Sequence, residues 1–378
     1  MKRIISIVIC CLALASVFQL IGSAEYSIDV DVPSAILMEA ETGTVLFEKE
    51  ADMRLPPASV TKIMTLLLVM EALDNGAIGY EDIVTVSEKA ASMGGSQIFL
   101  EVGEQMTVDD MLKSVTIASA NDAAVALAEF IAGTEEGFVK MMNSKAEELG
   151  MLNTNFENTN GLDDTTTEHY TSARDIAIMS RELIKHKKIL EYSSTWMDSV
   201  RNGEFGLTNT NKLVKYYEGC NGLKTGSTSK AKFCISATAK RNGMQLICVI
   251  MAADTKDIRN NEARKLLDWG FANYACVSFE PGSSGNIKVK AGVTDEVGTE
   301  YKGISLLLPK DRSGSVSSET ILPDTVNAPV KKGEVLGKIV YRSGEEEIAQ
   351  IDIKASESVK RIGYFDLLLR LFKKFLMI

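Results

Sequence analysis

Apolar residues change rhythm along this chain, and each rhythm predicts a different kind of element. Ile4 to Ile21 is almost unbroken, with Ser6, Ser16 and Gln19 as the plainly polar interruptions. Ser34-Ala35-Ile36-Leu37-Met38 and Thr44-Val45-Leu46-Phe47 flank a turn at Glu39 to Gly43 and predict a β-hairpin. Ile63, Met64, Leu66, Leu67, Leu68 and Met70 are apolar on more than one helical face, so this helix is expected to be buried all round. Gly76 and Gly79 close that region, and Ile83 to Val86 reads as a short strand. Ala90 to Gly95 is small and glycine-rich and reads as a loop.

Thr107-Val108-Asp109-Asp110 has the form of a capping box and predicts a helix to about Ser119. A second, alanine-rich helix follows from Asp122, with Asn121 as its expected cap. Thr134 to Leu149 and Ser172 to Lys185 predict two amphipathic helices, separated by the long polar loop Asn153 to Tyr170. Phe233 to Ala239 and Leu246 to Ile250 flank Asn242-Gly243, the strongest hairpin signal in the chain. Asn261 to Tyr274 is the last helix of this part. Beyond Cys276, short alternating segments such as Ile287 to Lys290, Ile304 to Leu308 and Val335 to Val340 are parted by turns, the pattern of a small all-β domain ending near Ser358.

Composition narrows the class. A chain of 378 residues, 45% hydrophobic and 24% charged, is an ordinary globular protein with room for two domains. Met1-Lys2-Arg3, the apolar run and Gly22-Ser23-Ala24 have the layout of a secretory signal peptide cut after Ala24. Losing the two positive charges of that leader takes the net charge from −10 to −12. So acidic a chain is a poor general binder of nucleic acid. His169 and His186 are the only histidines, neither in a metal-like cluster, and His169 reads as structural. Cys220, Cys234, Cys248 and Cys276 follow the leader; Cys234 and Cys248 lie in apolar strand-like runs and read as buried thiols. Cys220, four residues before Lys224, reads as a neighbour of a site rather than a reacting group.

Against this background three short motifs carry chemistry. Ser59-Val60-Thr61-Lys62 opens the buried helix, so Ser59 and Lys62 share a face. A lysine in a dry pocket has its pKa lowered and can take a proton from a serine hydroxyl. Ser119 and Asn121 fall at the junction of two apolar helices, where buried polar groups must find partners. Lys224-Thr225-Gly226 begins a strand and offers a cation and a hydroxyl suited to a terminal carboxylate. Its glycine admits a substrate backbone.

In that order and combination the motifs resemble those of the serine-type D-Ala-D-Ala carboxypeptidases among the low-molecular-weight penicillin-binding proteins. Asn160-Gly161-Leu162, Tyr170 to Asp175 and Gly222 to Gly226 support the resemblance, which covers the whole mature chain, including the β-rich domain and the amphipathic tail. The middle motif is Ser-Ala-Asn where the signature has Ser-Asp-Asn, which keeps Ser119 and Asn121. The resemblance implies an α/β (α+β) transpeptidase-like fold, an antiparallel sheet with helices, plus the small β domain. It implies Ser59 as nucleophile, Lys62 as general base, Ser119 as proton relay and Asn121 as holder of the peptide backbone. Lys224 and Thr225 would bind the substrate carboxylate. The oxyanion hole would be the Ser59 N–H and one on the strand near Ser227 or Thr228. The substrate would be a peptidoglycan stem peptide, β-lactams would be covalent inhibitors, and no metal or cofactor is implied.

The expected organisation is a leader over 1–24, a catalytic domain over 25–275, a β-rich domain over 276–358 and an amphipathic helix over 359–378. In that tail Asp366, Arg370, Lys373 and Lys374 share one face, and aromatic and leucine residues fill the rest. Such a helix suits the surface of a membrane. Rival readings are a transpeptidase or endopeptidase on the same substrates, a β-lactamase with Glu157 as its resolving glutamate, and a non-enzymatic wall-binding protein.

Overall fold

The computed structural model describes residues 28–164 and 166–375, so the expected leader lies outside the described residues. Asp31–Ile378 forms one compact unit. Its centre is a five-stranded antiparallel sheet of β1 (Ser34–Glu39), β2 (Val45–Lys49), β3 (Cys220–Thr228), β4 (Lys232–Arg241) and β5 (Met244–Ala253). The strand order is β2-β1-β5-β4-β3, which leaves β3 on an edge. The β4–β5 turn places Asn242 at φ 49° and Gly243 at φ 83°, as an Asn-Gly hairpin turn requires.

Weak alternation in β4 and β5 has a physical cause: the sheet is covered on both faces. Helix α1 (Lys62–Asp74) and helix α2 (Asn121–Ala132), with α3 (Glu135–Glu148) and α4 (Ala173–Leu183), build a common core with Ile36, Ile247 and Val249 on one face. Ser180 of α4 hydrogen-bonds Ser236 of β4 at 2.8 Å across that interface. Helix α5 (Lys256–Asn273) covers the other face. A Cβ on Gly270 would stand 2.8 Å from Leu37 and Leu246, so the glycine sets how closely α5 lies on the sheet.

The predicted helices form with small differences. Thr107, Thr134 and Ser172 each accept a hydrogen bond from the backbone three residues on and so cap their helices. Ala90 and Ala91, expected in a loop, belong to a helical turn, Glu88–Ala91, capped by Ser87. The last helix of this part starts at Lys256 rather than Asn261, capped by Thr255.

The β-rich part begins within strand β6 (Tyr274–Phe279), which pairs antiparallel with β9 (Ile304–Pro309). Between them lie β7 (Asn286–Lys290) and β8 (Glu296–Tyr301). These join β10 (Val316–Ile321), β11 (Thr325–Asn327), β12 (Val335–Ser343) and β13 (Glu346–Ala355) in a six-stranded sheet, order β10-β12-β13-β8-β7-β11. Bridges from Val330 to Val359 and from Gly292 to Arg361 carry the pairing past Ser358. The amphipathic helix α6 (Tyr364–Phe375) ends the described chain. Its Arg370 is tied to Asp295 at 2.7 Å, while Phe365, Leu368, Leu371, Phe372 and Phe375 are exposed. Among the described residues no helix is long and apolar enough to cross a membrane.

Candidate active site

Ser59 sits in a tight turn, Ala58–Thr61, that runs directly into α1. Two glycines allow the turn to be gripped. A Cβ on Gly226 of β3 would stand 2.7 Å from the Pro57 carbonyl oxygen and 2.9 Å from the Ser59 nitrogen. A Cβ on Gly161 would lie 1.9 Å from the Ala58 oxygen, and Gly161 has φ 85°. No other residue fits either position without moving the turn. From a third side, the buried His169 ring closes on Thr61. Its Nδ1 accepts from the Glu157 backbone N–H at 3.0 Å, which leaves Nε2 to donate to Thr61 Oγ1 at 2.8 Å. Burial holds His169 neutral, its pKa pushed down to about 4.

Lys62 is fully buried, and its amine has three neighbours: Ser59 Oγ at 3.0 Å, Asn121 Oδ1 at 2.5 Å and the Asn160 carbonyl at 2.8 Å. Burial, and then the charge of Lys224, push its pKa well below the ordinary lysine value. A neutral amine has two hydrogens and one lone pair. Asn121 Oδ1 and the Asn160 carbonyl can only accept, so they take the two hydrogens. The orientation of the Asn121 amide is fixed by its Nδ2, which donates to the Gly94 carbonyl at 2.7 Å. The lone pair is left for the one neighbour that has a proton to give, the Ser59 hydroxyl. This is the arrangement of a serine poised against a general base.

Asn121 does not cap α2, as the sequence suggested. Ala120 is the cap residue, whose methyl group can make no cap bond, and the Asn121 side chain is drawn instead to Lys62 and Gly94. Buried Asp122 accepts instead from the backbone of Ala123, Ile98 and Leu100, tying the rim loop to the helix. Ser119 is left-handed at φ 66°, which turns the chain sharply between the helices. Its hydroxyl is buried and has no hydrogen-bond partner within the described residues. Such an atom is a donor and acceptor held ready for something that enters the site.

On β3, Lys224 is buried, and its amine reaches the Thr225 carbonyl at 3.2 Å. Burial, with Arg259 nearby, pushes its pKa down to about 7. Thr225 Oγ1 donates to Thr210 Oγ1 at 2.8 Å. Ser227 is exposed, and the Thr228 hydroxyl is engaged by Asp163, which fastens the loop around Gly161 to the end of the strand. As an edge strand, β3 keeps one row of backbone groups free of the sheet.

Arg259, on α5, was not singled out in the sequence. It is 4% exposed, its pKa pushed down to about 10 by burial. Its spacing to Ala263, Leu266 and Gly270 on the buried face of α5 was the available signal. Two buried cations, Lys224 and Arg259, make this end of the site electrically suited to an anion. Cys220 is buried, its thiol pushed up to about 11, so it stays protonated and unreactive. The four cysteines in the described residues are unbridged. Glu157 accepts from the backbone of Thr167 and Glu168 and is thereby tied into its own loop.

Known proteins are similar to this chain in sequence and fold. Residues 21–255 match the family model of D-alanyl-D-alanine carboxypeptidase, and residues 281–361 that of the penicillin-binding protein 5 C-terminal domain. The chain is 46% identical over 347 residues to the D-alanyl-D-alanine carboxypeptidase DacF of Bacillus subtilis, across 90% of this chain and 89% of that protein. It is 36% identical over 348 residues to DacC of Escherichia coli, across 89% and 86%. Among solved structures it is similar to penicillin-binding protein 5 from Haemophilus influenzae, with 32% identity, a TM-score of 0.75 and coverage of 89% and 99%.

Proposed function

The chain belongs to the D-alanyl-D-alanine carboxypeptidase family, and from that footing we propose how its residues divide the work. It is a serine-type enzyme that hydrolyses the terminal D-Ala-D-Ala bond of peptidoglycan stem peptides and so limits cross-linking; β-lactams inhibit it. The roles that follow are our assignment. Ser59 Oγ attacks the carbonyl carbon between the two D-alanines as its proton passes to the lone pair of Lys62. The developing oxyanion is met by the Ser59 N–H and by an N–H of β3 near Ser227 or Thr228. Collapse breaks the C–N bond. Ser119 hands a proton to the leaving amine and is resupplied with the one that Lys62 took from Ser59, and D-alanine departs. Water, losing its proton to the again neutral Lys62, then cleaves the Ser59 ester, and Lys62 returns that proton to Ser59 Oγ. Asn121 holds the peptide backbone of the substrate. Lys224 and Thr225 bind the terminal carboxylate, with Arg259 adding charge behind them, and Gly226 lets the substrate lie against β3.

The observation that carries this reading is the buried Lys62 amine, 3.0 Å from Ser59 Oγ and with two obligatory acceptors as its other neighbours. The test is release of D-alanine from a peptide ending in Lys-D-Ala-D-Ala, beside a Ser59→Ala control. Release that vanishes in the control supports the assignment; release that persists overturns it.

The same reading extends to location. We propose export, with cleavage after Ala24, and attachment to the outer face of the membrane through α6. Support comes from its exposed aromatic and leucine side chains beside Arg370. Full-length protein should sediment with anionic vesicles, and a chain ending at residue 363 should not. Equal sedimentation of both would remove α6 from the account.

A further inference from the structure

Phe99 is an aromatic residue held where its own preferences would not put it. Its φ is 58°, in the left-handed region that disfavours a bulky side chain, and its side chain is 66% exposed. The loop around it is clamped from both sides. Asp122 Oδ2 accepts from the N–H groups of Ile98 and Leu100, both at 3.1 Å. Arg201 donates to the Ile98 carbonyl at 2.8 Å and the Phe99 carbonyl at 3.4 Å, and is itself fixed by Glu104 at 2.7 Å. Strain that is over-determined in this way is a mark of function.

The clamp is joined to the active site twice. Asp122 follows Asn121 directly. The rings of Phe99 and Phe205 meet edge to face with centroids 6.2 Å apart. The strand of Phe205 runs on to Thr210, which bonds the Ile117 carbonyl beside Ser119 and the hydroxyl of Thr225. Arg201 lies over the Phe205 ring, 5.3 Å from its centroid, so Phe99 is the ring of the pair left open.

We propose that Phe99 stacks on the C–H face of an amino sugar in the glycan that carries the stem peptide. This rests on the assignment of the D-Ala-D-Ala end to the Ser59 pocket. Residues 96–104 contain no lysine or arginine, the neighbouring Arg201 is taken up by Glu104, and Glu101 adds a negative charge, so nothing here answers the carboxylates of a peptide. A neutral ring suits that rim. Its polarised C–H bonds meet the negative face of the phenyl group, and its hydroxyls can donate to exposed Glu101.

The test compares the full-length chain with F99A on a disaccharide-pentapeptide and on the free pentapeptide, both ending in D-Ala-D-Ala. F99A should raise KM for the saccharide-bearing substrate about five- to tenfold, with kcat unchanged, and leave the free pentapeptide unaltered. F99G should show the same loss with a melting temperature no lower than that of the unaltered chain, since glycine accepts the left-handed backbone. Equal loss on both substrates, or no loss on either, overturns the proposal. No D-alanine from either substrate with the unaltered chain overturns the Ser59 assignment, and this proposal with it.

Discussion

The two parts of the molecule bury different things. Within the catalytic part Lys62, Lys224, Arg259, Asp122, Asp175 and His169 are all buried. Among the described residues of the β-rich part no acidic or basic side chain is buried, and the buried polar groups are Thr299, Ser343 and the phenol of Tyr341. Its core is Ile287, Val289, Val297, Ile339 and Ile353, set inward by strand alternation. Burying a charge is unfavourable unless something compensates it. A fold that needed stability alone would resemble the β-rich part. The buried cations Lys62, Lys224 and Arg259 therefore mark where the chain gives up stability for chemistry.

The sharpest way to break that contrast is to remove Ser59. Ser59→Ala should lower D-alanine release about ten-thousand-fold and abolish covalent labelling by penicillin, while the melting temperature holds. Substantial residual release would mean that the buried charges serve some other nucleophile.

His169 tests the other use of a buried titratable group, as structure. In the unfolded chain its imidazole protonates near pH 6.5; in the folded chain it does not until about 4. Its share of stability is therefore complete above pH 6.5 and is lost as the pH falls towards 4, about 3 kcal/mol over that window. His169→Gln stays neutral and can keep one donor and one acceptor. Urea midpoints at pH 7 and pH 4.5 should thus differ less for the variant than for the unaltered chain. An identical difference would show that His169 already protonates in the folded state.

Much of this division was legible in the sequence, for reasons that can be named. Local chemistry reads well: Asn242-Gly243 dictates its turn, Thr134 and Ser172 cap their helices, and the alternation of Ile287 to Lys290 gives a strand. The motif residues Ser59, Lys62, Asn121 and Lys224 were found by type and order. What was not legible depends on partners distant in sequence. The Asn160 carbonyl, 98 residues from Lys62, completes the amine's hydrogen bonds, and a backbone atom leaves no trace in residue identity. Asn121 was misread as a cap because capping is a local rule and its real partner, Lys62, is 59 residues away. Arg259 was passed over because a cation on a helix is ordinarily solvated, and only the packing of α5 on the sheet reveals that it is not.

Lys224 sharpens the contrast by putting both properties on one residue. Lys224→Met removes a buried cation while keeping length and volume. It should lower kcat/KM about a hundredfold, chiefly through KM, by unpairing the substrate carboxylate. It should also stabilise the fold by about 1–3 kcal/mol below pH 7. The sign follows from the depressed pKa. The unfolded chain holds this proton up to about pH 10.4, whereas the folded chain releases it near 7, so burial of the charged form disfavours folding most at low pH. The gain should shrink between pH 7 and about 10. A variant that loses both activity and stability would mean that Lys224 supports the sheet rather than the substrate.

The smallest expected effect on activity comes from the other side of the comparison. Val297 is fully buried in β8, where it pairs across the ladder with Ile287. Val297→Ala leaves a cavity among apolar side chains and should cost about 2 kcal/mol of the stability of the β-rich part. On a short soluble peptide its kcat/KM should nevertheless stay within about twofold of the unaltered chain, because none of the groups that touch Lys62 comes from beyond α5. The informative measurement is therefore activity during heating. If D-alanine release survives the first unfolding step of the variant, the β-rich part is a separate source of stability joined through the β6–β9 ribbon. If release falls in step with it, that ribbon and the end of α5 transmit order to the sheet, and the two parts act as one cooperative unit in spite of what each buries.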